Sequence, residues 1–136
     1  MTGVWVLLAT LAVAGVGGGI WRRRRGRMVT AADRAAVSAE EIGTRLGERA
    51  TLLQFSSAFC APCRATRQVL AEVAGMLDGV AHVEVDAESH LDLVRRLDIR
   101  STPTTLVLDR AGLVRQRAAG QPRKADVIAA LDTALT

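Results

Sequence analysis

Tyrosine is missing from this 136-residue chain, and tryptophan and phenylalanine occur only twice each. So few rings argue against an aromatic-lined platform for single-stranded nucleic acid. Cysteine and histidine are as sparse, two of each. A structural zinc site takes about four Cys or His ligands, usually two Cys-x-x-Cys pairs or one pair with two histidines. The single pair here, Cys60 and Cys63, has only His82 and His90 to draw on, and Ser89, His90 and Asp92 make no recognisable ligand set with it. No structural zinc and no cofactor is expected. Acidic residues are missing from residues 1–27, which carry five arginines; residues 28–136 hold the other 13 basic residues against all 14 acidic ones, a charge of −1. The net charge of +4 therefore belongs to one short cluster. A nucleic-acid footprint spreads over a domain face, so no nucleic-acid partner is expected.

Charge of either sign is absent from Thr2 to Trp21, a run of 20 residues. As a helix it spans about 30 Å, the thickness of a bilayer's hydrocarbon core. Trp5 and Trp21 stand near its ends, where amphipathic rings favour the headgroups. A secretory signal peptide carries its positive charge before the apolar run, whereas Arg22–Arg25 follow this one. Residues 2–21 thus read as a single transmembrane helix. The positive-inside rule places the arginines and the chain after them on the cytoplasmic side. Gly15 and Gly19 form a GxxxG pair, a weak helix-pairing signal in so glycine-rich a stretch.

Residues 22–35 read as a basic juxtamembrane linker, with a small edge strand around Arg27–Thr30, and 36–136 as one domain. No internal repeat is visible, and at about 100 residues the domain can bury its own core. Ser38-Ala39-Glu40-Glu41 is a capping box, so a short helix is expected from Ala39 to about Leu46, ended by Gly47. Ala50–Phe55 reads as a buried strand. From Pro62 the spacing turns helical, with Ala65, Val69, Leu70, Val73, Met76 and Leu77 on one face. Pro62 is tolerated because the first turn needs no N–H from it. Ala81–Val85 is a second strand and Ser89–Leu97 a helix bearing Leu91, Val94 and Leu97. Strands Thr105–Leu108 and Leu113–Ala118 flank an Asp109–Gly112 turn as a hairpin. The last helix carries Val127, Ile128, Leu131 and Leu135. Helices alternating with strands and ending in a hairpin describe an α/β fold: a mixed sheet of four to five strands with helices on both faces.

The cysteines lie three residues apart between the buried strand and the long helix. A structural disulfide closing so small a loop gains little entropy, which leaves redox chemistry foremost and a two-thiolate carrier of Cu(I) as a lesser reading. The segment Gln54-Phe55-Ser56-Ser57-Ala58-Phe59-Cys60-Ala61-Pro62-Cys63-Arg64 resembles the active-site segment of thioredoxin-family proteins. Ser101-Thr102-Pro103-Thr104, about 40 residues on, is similar to the family's cis-proline loop, and Gly120 follows the hairpin where the family has its substrate groove. The resemblance covers residues 36–136 and implies a three-layer thioredoxin-like fold.

It also implies roles. Cys60, at the N-terminus of the Ala61–Leu77 helix, would be the exposed nucleophile, its thiolate favoured by the helix dipole. Cys63 would resolve the mixed disulfide. Ala61, Pro62, Thr102, Pro103 (as a cis proline) and Gly120 would form the substrate groove, with Thr102 offering backbone groups to an extended segment. Several positions depart from the family. Gln54 stands where a buried acid is common, six residues before the first cysteine, and His82 where a lysine often faces it. These two are a candidate neutral pair for proton transfer from Cys63. Phe59 and Ser56 replace two tryptophans. Nothing in Ala61-Pro62 overstabilises the thiolate, so the potential should lie nearer thioredoxin's roughly −270 mV than an oxidase's roughly −120 mV.

Together these readings describe a membrane-anchored thiol–disulfide oxidoreductase facing the cytoplasm. Its partners would be disulfide-containing protein substrates, a reductase or thiol electron donor, and the lipid bilayer through residues 2–21. The alternatives are an extracytoplasmic thiol reductase serving cytochrome maturation, and a non-catalytic binding or metal-carrier module.

Overall fold

The computed structural model describes residues 1–31 and 35–136. In chain order the elements are helix α1 (Thr2–Arg24), strand β1 (Val29–Thr30), helix α2 (Ala39–Ile42), strand β2 (Ala50–Ser56), helix α3 (Ala61–Met76), strand β3 (Val80–Asp86), a 3-10 turn at Ala87–Ser89, helix α4 (Leu91–Arg96), strands β4 (Thr104–Asp109) and β5 (Val114–Ala119), and helix α5 (Lys124–Leu135). The strands make one sheet in the order β1-β5-β4-β2-β3. β2 and β3 run parallel and every other pair antiparallel. The sheet is mixed and five-stranded, its fifth strand supplied at the edge by β1.

Side chains alternate across a strand, and β2, buried along its whole length, sends them into two cores. Leu53 and Phe55 pack with Val83, Val85, Leu106 and Leu108 on the side of Ile42 and Leu93. Ala50 and Leu52 pack with Leu70 and Val73 of α3 and Val127, Ala130 and Leu131 of α5. Each fully buried Leu or Phe contributes about 1.5–3 kcal/mol. The same alternation puts Gln54 on the α3 side, directly below the start of that helix.

Five details differ from the sequence-based expectation. α1 runs on through Arg24: arginine is a good helix former, and cations suit a helix C-terminus. The first residues of the expected linker are therefore helical, β1 ties the rest to the sheet, and the linker's residues 32–34 lie outside the described ones. α2 stops at Ile42, with Gly43 at φ 72° as its left-handed cap, so Gly43 rather than Gly47 ends it. On α3 the buried stripe is Cys63, Thr66, Leu70 and Val73, while Met76 is 59% exposed. The Thr66 hydroxyl donates to the Pro62 carbonyl at 2.9 Å, which lets a polar residue sit at a core position. α4 starts at Leu91 rather than Ser89, because Asp86 accepts from the Glu88 N–H and the Ser89 hydroxyl and holds a 3-10 turn there. That rotates the helix, burying Leu93 and Leu97 and leaving Leu91 54% exposed. On α5, Ile128 likewise faces out and Ala130 in.

α1 is exposed along its whole length and is long and apolar enough to cross a bilayer. Its end is tied to the domain at Gly26, whose N–H donates to the Ala119 carbonyl at 2.6 Å. Gly26 has φ 81°, and a Cβ there would collide with the Gln121 carbonyl oxygen. Only glycine fits this crossing.

Candidate active site

β2 delivers the chain to α3 through Ser57–Phe59, and Cys60 becomes the N-cap of α3 with Pro62 in its first turn. The two sulfurs form a disulfide of 2.04 Å, with the Cα atoms 5.3 Å apart. Cys60 is partly exposed and Cys63 only 2% exposed. Phe59, immediately before Cys60, stands wholly in solvent. One sulfur is thus open to a partner and the other shielded below it, and the free N–H groups of the α3 terminus are the groups that favour an anion.

Opposite them, the Thr102–Pro103 peptide bond is cis. This loop is held from three sides. The Ser57 and Thr102 hydroxyls share a 2.9 Å hydrogen bond, the Thr104 hydroxyl donates to the Ser101 carbonyl at 2.6 Å, and the Gly120 N–H donates to the Pro103 carbonyl at 2.8 Å. Pro62, Thr102, Pro103 and Gly120 line one cleft of about 390 Å³. Ala61, exposed at the first helical position, is not on its wall. Arg22 and Arg25 are.

Beneath the cysteines lies a polar group in an otherwise apolar layer. Gln54 is fully buried. Its amide donates to Ser56 Oγ at 3.0 Å and to the Cys63 carbonyl at 2.9 Å. Its Oε1 lies 3.0 Å from His82 Nε2. An amide oxygen can only accept, so the imidazole carries its hydrogen on Nε2. Burial pushes the His82 pKa below its ordinary value; Glu84 pulls the other way, and Arg67 adds to the lowering. Arg67 and Glu84 are themselves paired through two hydrogen bonds of 2.7 and 2.9 Å. The structure therefore joins Gln54 and His82, but the chain of contacts ends on the Cys63 backbone, not on its sulfur.

Some residues of this site carry no signal in the sequence. Ser57 meets a partner 45 positions away. Thr66 looks polar and is core. Thr105, opposite Gln54 in the β2–β4 register, has a buried hydroxyl without a hydrogen-bond partner among the described residues. Among the described residues no cluster of His, Cys, Asp and Glu is placed to hold a metal ion.

Comparison with known proteins bears on this site. The Thioredoxin family profile matches residues 35–133. Thioredoxin H5 of Oryza sativa subsp. japonica is 32% identical over 60 residues, 44% of this chain and 44% of that protein. The chain thus spans less than half the length of this curated relative. Among solved structures, a single-site mutant of thioredoxin from Halobacterium salinarum NRC-1 superposes with a TM-score of 0.57 at 17% identity, covering 65% of this chain and 77% of that one. A structure described as a malarial protein also gives 0.57, at 19% identity, over 65% of this chain and 99% of its own. At such identities the likeness is one of fold.

Proposed function

The chain belongs to the thioredoxin family, and on that premise we propose that it is a membrane-anchored reductase of protein disulfides, working on the cytoplasmic side through Cys60 and Cys63. The observation that carries the reading is the unequal pair itself: an accessible Cys60 capping α3, bonded to a buried Cys63. The cycle starts from the reduced pair. The Cys60 thiolate attacks one sulfur of a substrate disulfide, forming a mixed disulfide and releasing the other substrate sulfur as a thiolate. Cys63, once deprotonated, attacks Cys60 Sγ, expels the second substrate thiolate and leaves the Cys60–Cys63 disulfide. The substrate has gained two electrons and, with two protons, departs as a dithiol. A reductase or a thiol donor returns two electrons to the pair.

In this reading Pro62, Thr102, Pro103 and Gly120 bound the substrate groove, with Ala61 at its approach, and the backbone at Thr102 pairs with an extended substrate segment. Gln54 positions Cys63 through its carbonyl. His82, neutral at neutral pH, holds Gln54 through its Nε2–H, and the pair assists deprotonation of Cys63 from beneath it. Residues 2–21 hold the domain at the bilayer.

The full chain in detergent, supplied with a dithiol, should reduce insulin-type disulfides. Cys60→Ser should bring the rate to background, and Cys63→Ser should accumulate a mixed disulfide that the wild type resolves. Undiminished reduction by Cys60→Ser would overturn the assignment.

A further inference from the structure

We propose that Arg22 and Arg25 complete the substrate groove and select disulfides flanked by acidic residues. The inference rests on the reductase reading and adds to it the chemistry of the segment that enters the cleft. Arg22 and Arg25 share the cleft's wall with Pro62 and Pro103. They also line a neighbouring hollow of about 920 Å³ together with Arg23, Arg27 and Lys124. The cleft between Pro62, which lies between the two cysteines in sequence, and the cis-proline loop therefore adjoins a basic basin, and the two arginines belong to both.

Among the described residues their charge is uncommitted. The ion pairs among the described residues involve none of Arg22, Arg23, Arg25 and Arg27. The single acid on the basin's wall, Asp126, is held by Arg123 at 2.9 Å. Arg25 stacks over the Trp21 ring, its guanidinium carbon 3.9 Å from the centroid. Stacking fixes the plane of the guanidinium and leaves its N–H edge open for a carboxylate. The placement is held by the backbone: Gly26, next in the chain, is bonded to Ala119, and β1 pairs with β5.

Phosphate headgroups would match the same charges. What favours a peptide is the shared wall: these cations stand beside the cis-proline loop, where a substrate backbone pairs. A residue advance of about 3.3 Å in an extended segment carries side chains beyond the reacting cysteine along that wall.

The test uses the full chain in a neutral detergent and two disulfide peptides that differ only in having three Asp or three Asn beside the cysteine. The Asp peptide should be reduced with a kcat/KM about fivefold higher at low salt, through KM. The preference should fade at high ionic strength. The Arg22→Gln/Arg25→Gln double variant should bring the ratio between the peptides close to one. Equal reduction of both by the wild type, or a preference the double variant keeps, overturns the proposal. Equal reduction, together with weaker binding of the variant to anionic-lipid vesicles, assigns the arginines to the bilayer instead. Normal reduction of the Asn peptide shows in each case that the reductase reading stands. Reduction of neither peptide overturns that reading, and this inference with it.

Discussion

His82 carries two consequences at the scale of a single side chain. Burial lowers its pKa below the ordinary 6.5, so the unfolded chain takes up a proton at a pH where the folded one does not. By linkage its contribution is fully present above 6.5 and is lost as the pH falls from there toward the folded value. Urea unfolding at pH 7.5 and 5.5 should show the wild type weakening at the lower pH. His82→Gln keeps a donor for Gln54 Oε1 without a titrating ring, and should show a smaller loss. The same variant should change the acid limb of the pH–rate profile for disulfide reduction if His82 assists deprotonation of Cys63. An unchanged profile would remove His82 from the chemistry and leave it as a positioning residue for Gln54. The pairing was legible through the family resemblance, which sets His82 where a lysine often faces the residue at the position of Gln54. Where Gln54's other hydrogen bonds go was not, since the Cys63 carbonyl becomes its partner only when α3 docks.

The β4–β5 hairpin shows the same dependence at the scale of an element. Its turn residues, Asp109-Arg110-Ala111-Gly112, announce a turn, but the stability of the hairpin rests on one carboxylate. Asp109 Oδ1 accepts from the Ala111 and Leu113 N–H groups at 2.9 and 3.0 Å, and Oδ2 accepts from Arg115 Nε at 2.7 Å. Burial alone would raise the Asp109 pKa. The Arg115 hydrogen bond and the two N–H groups outweigh it, and the pKa is lowered. Its stabilisation is present above about 3.8 and is lost as the pH falls through the folded value, a window well below that of His82. Asp109→Ala should cost about 1–2 kcal/mol, since two part-buried N–H groups lose a charged acceptor while Arg115 stays partly hydrated. Chemical denaturation at pH 7 and at pH 3 measures it: the deficit should be clear at the first and much smaller at the second. Elements of this kind were readable where a local rule governs them, as at the Ser38–Glu41 capping box, which is present in full. They were misread where a neighbour decides the phase. Asp86 starts α4 late, and Thr66 enters the core because Pro62 accepts its hydroxyl.

For the whole molecule the question is which way the domain of the proposed anchored protein faces and how the end of α1 bears on the active site. Nothing in residues 22–27 reveals that they reach the cleft; the contact depends on Gly26 meeting a strand more than 90 residues later. The proposed orientation, by contrast, is argued from composition. α1 offers an uncharged stretch of 20 residues, followed at once by four consecutive arginines. Moving an arginine to the middle of a bilayer costs about 2.5–3.5 kcal/mol on an insertion scale, so the cluster is expected to stay on the side where it is made. The domain beyond it, with a charge near zero, adds no opposing pull. In intact cells a membrane-impermeant maleimide should then leave reduced Cys60 unlabelled until the membrane is opened. Replacing Arg22–Arg25 with Gln should remove the orienting charge and give partial labelling from outside. Full labelling of the wild type without permeabilisation would reverse the topology. It would put the cysteines, the cleft and its arginines in an oxidising compartment, where a reductant needs electrons delivered across the bilayer.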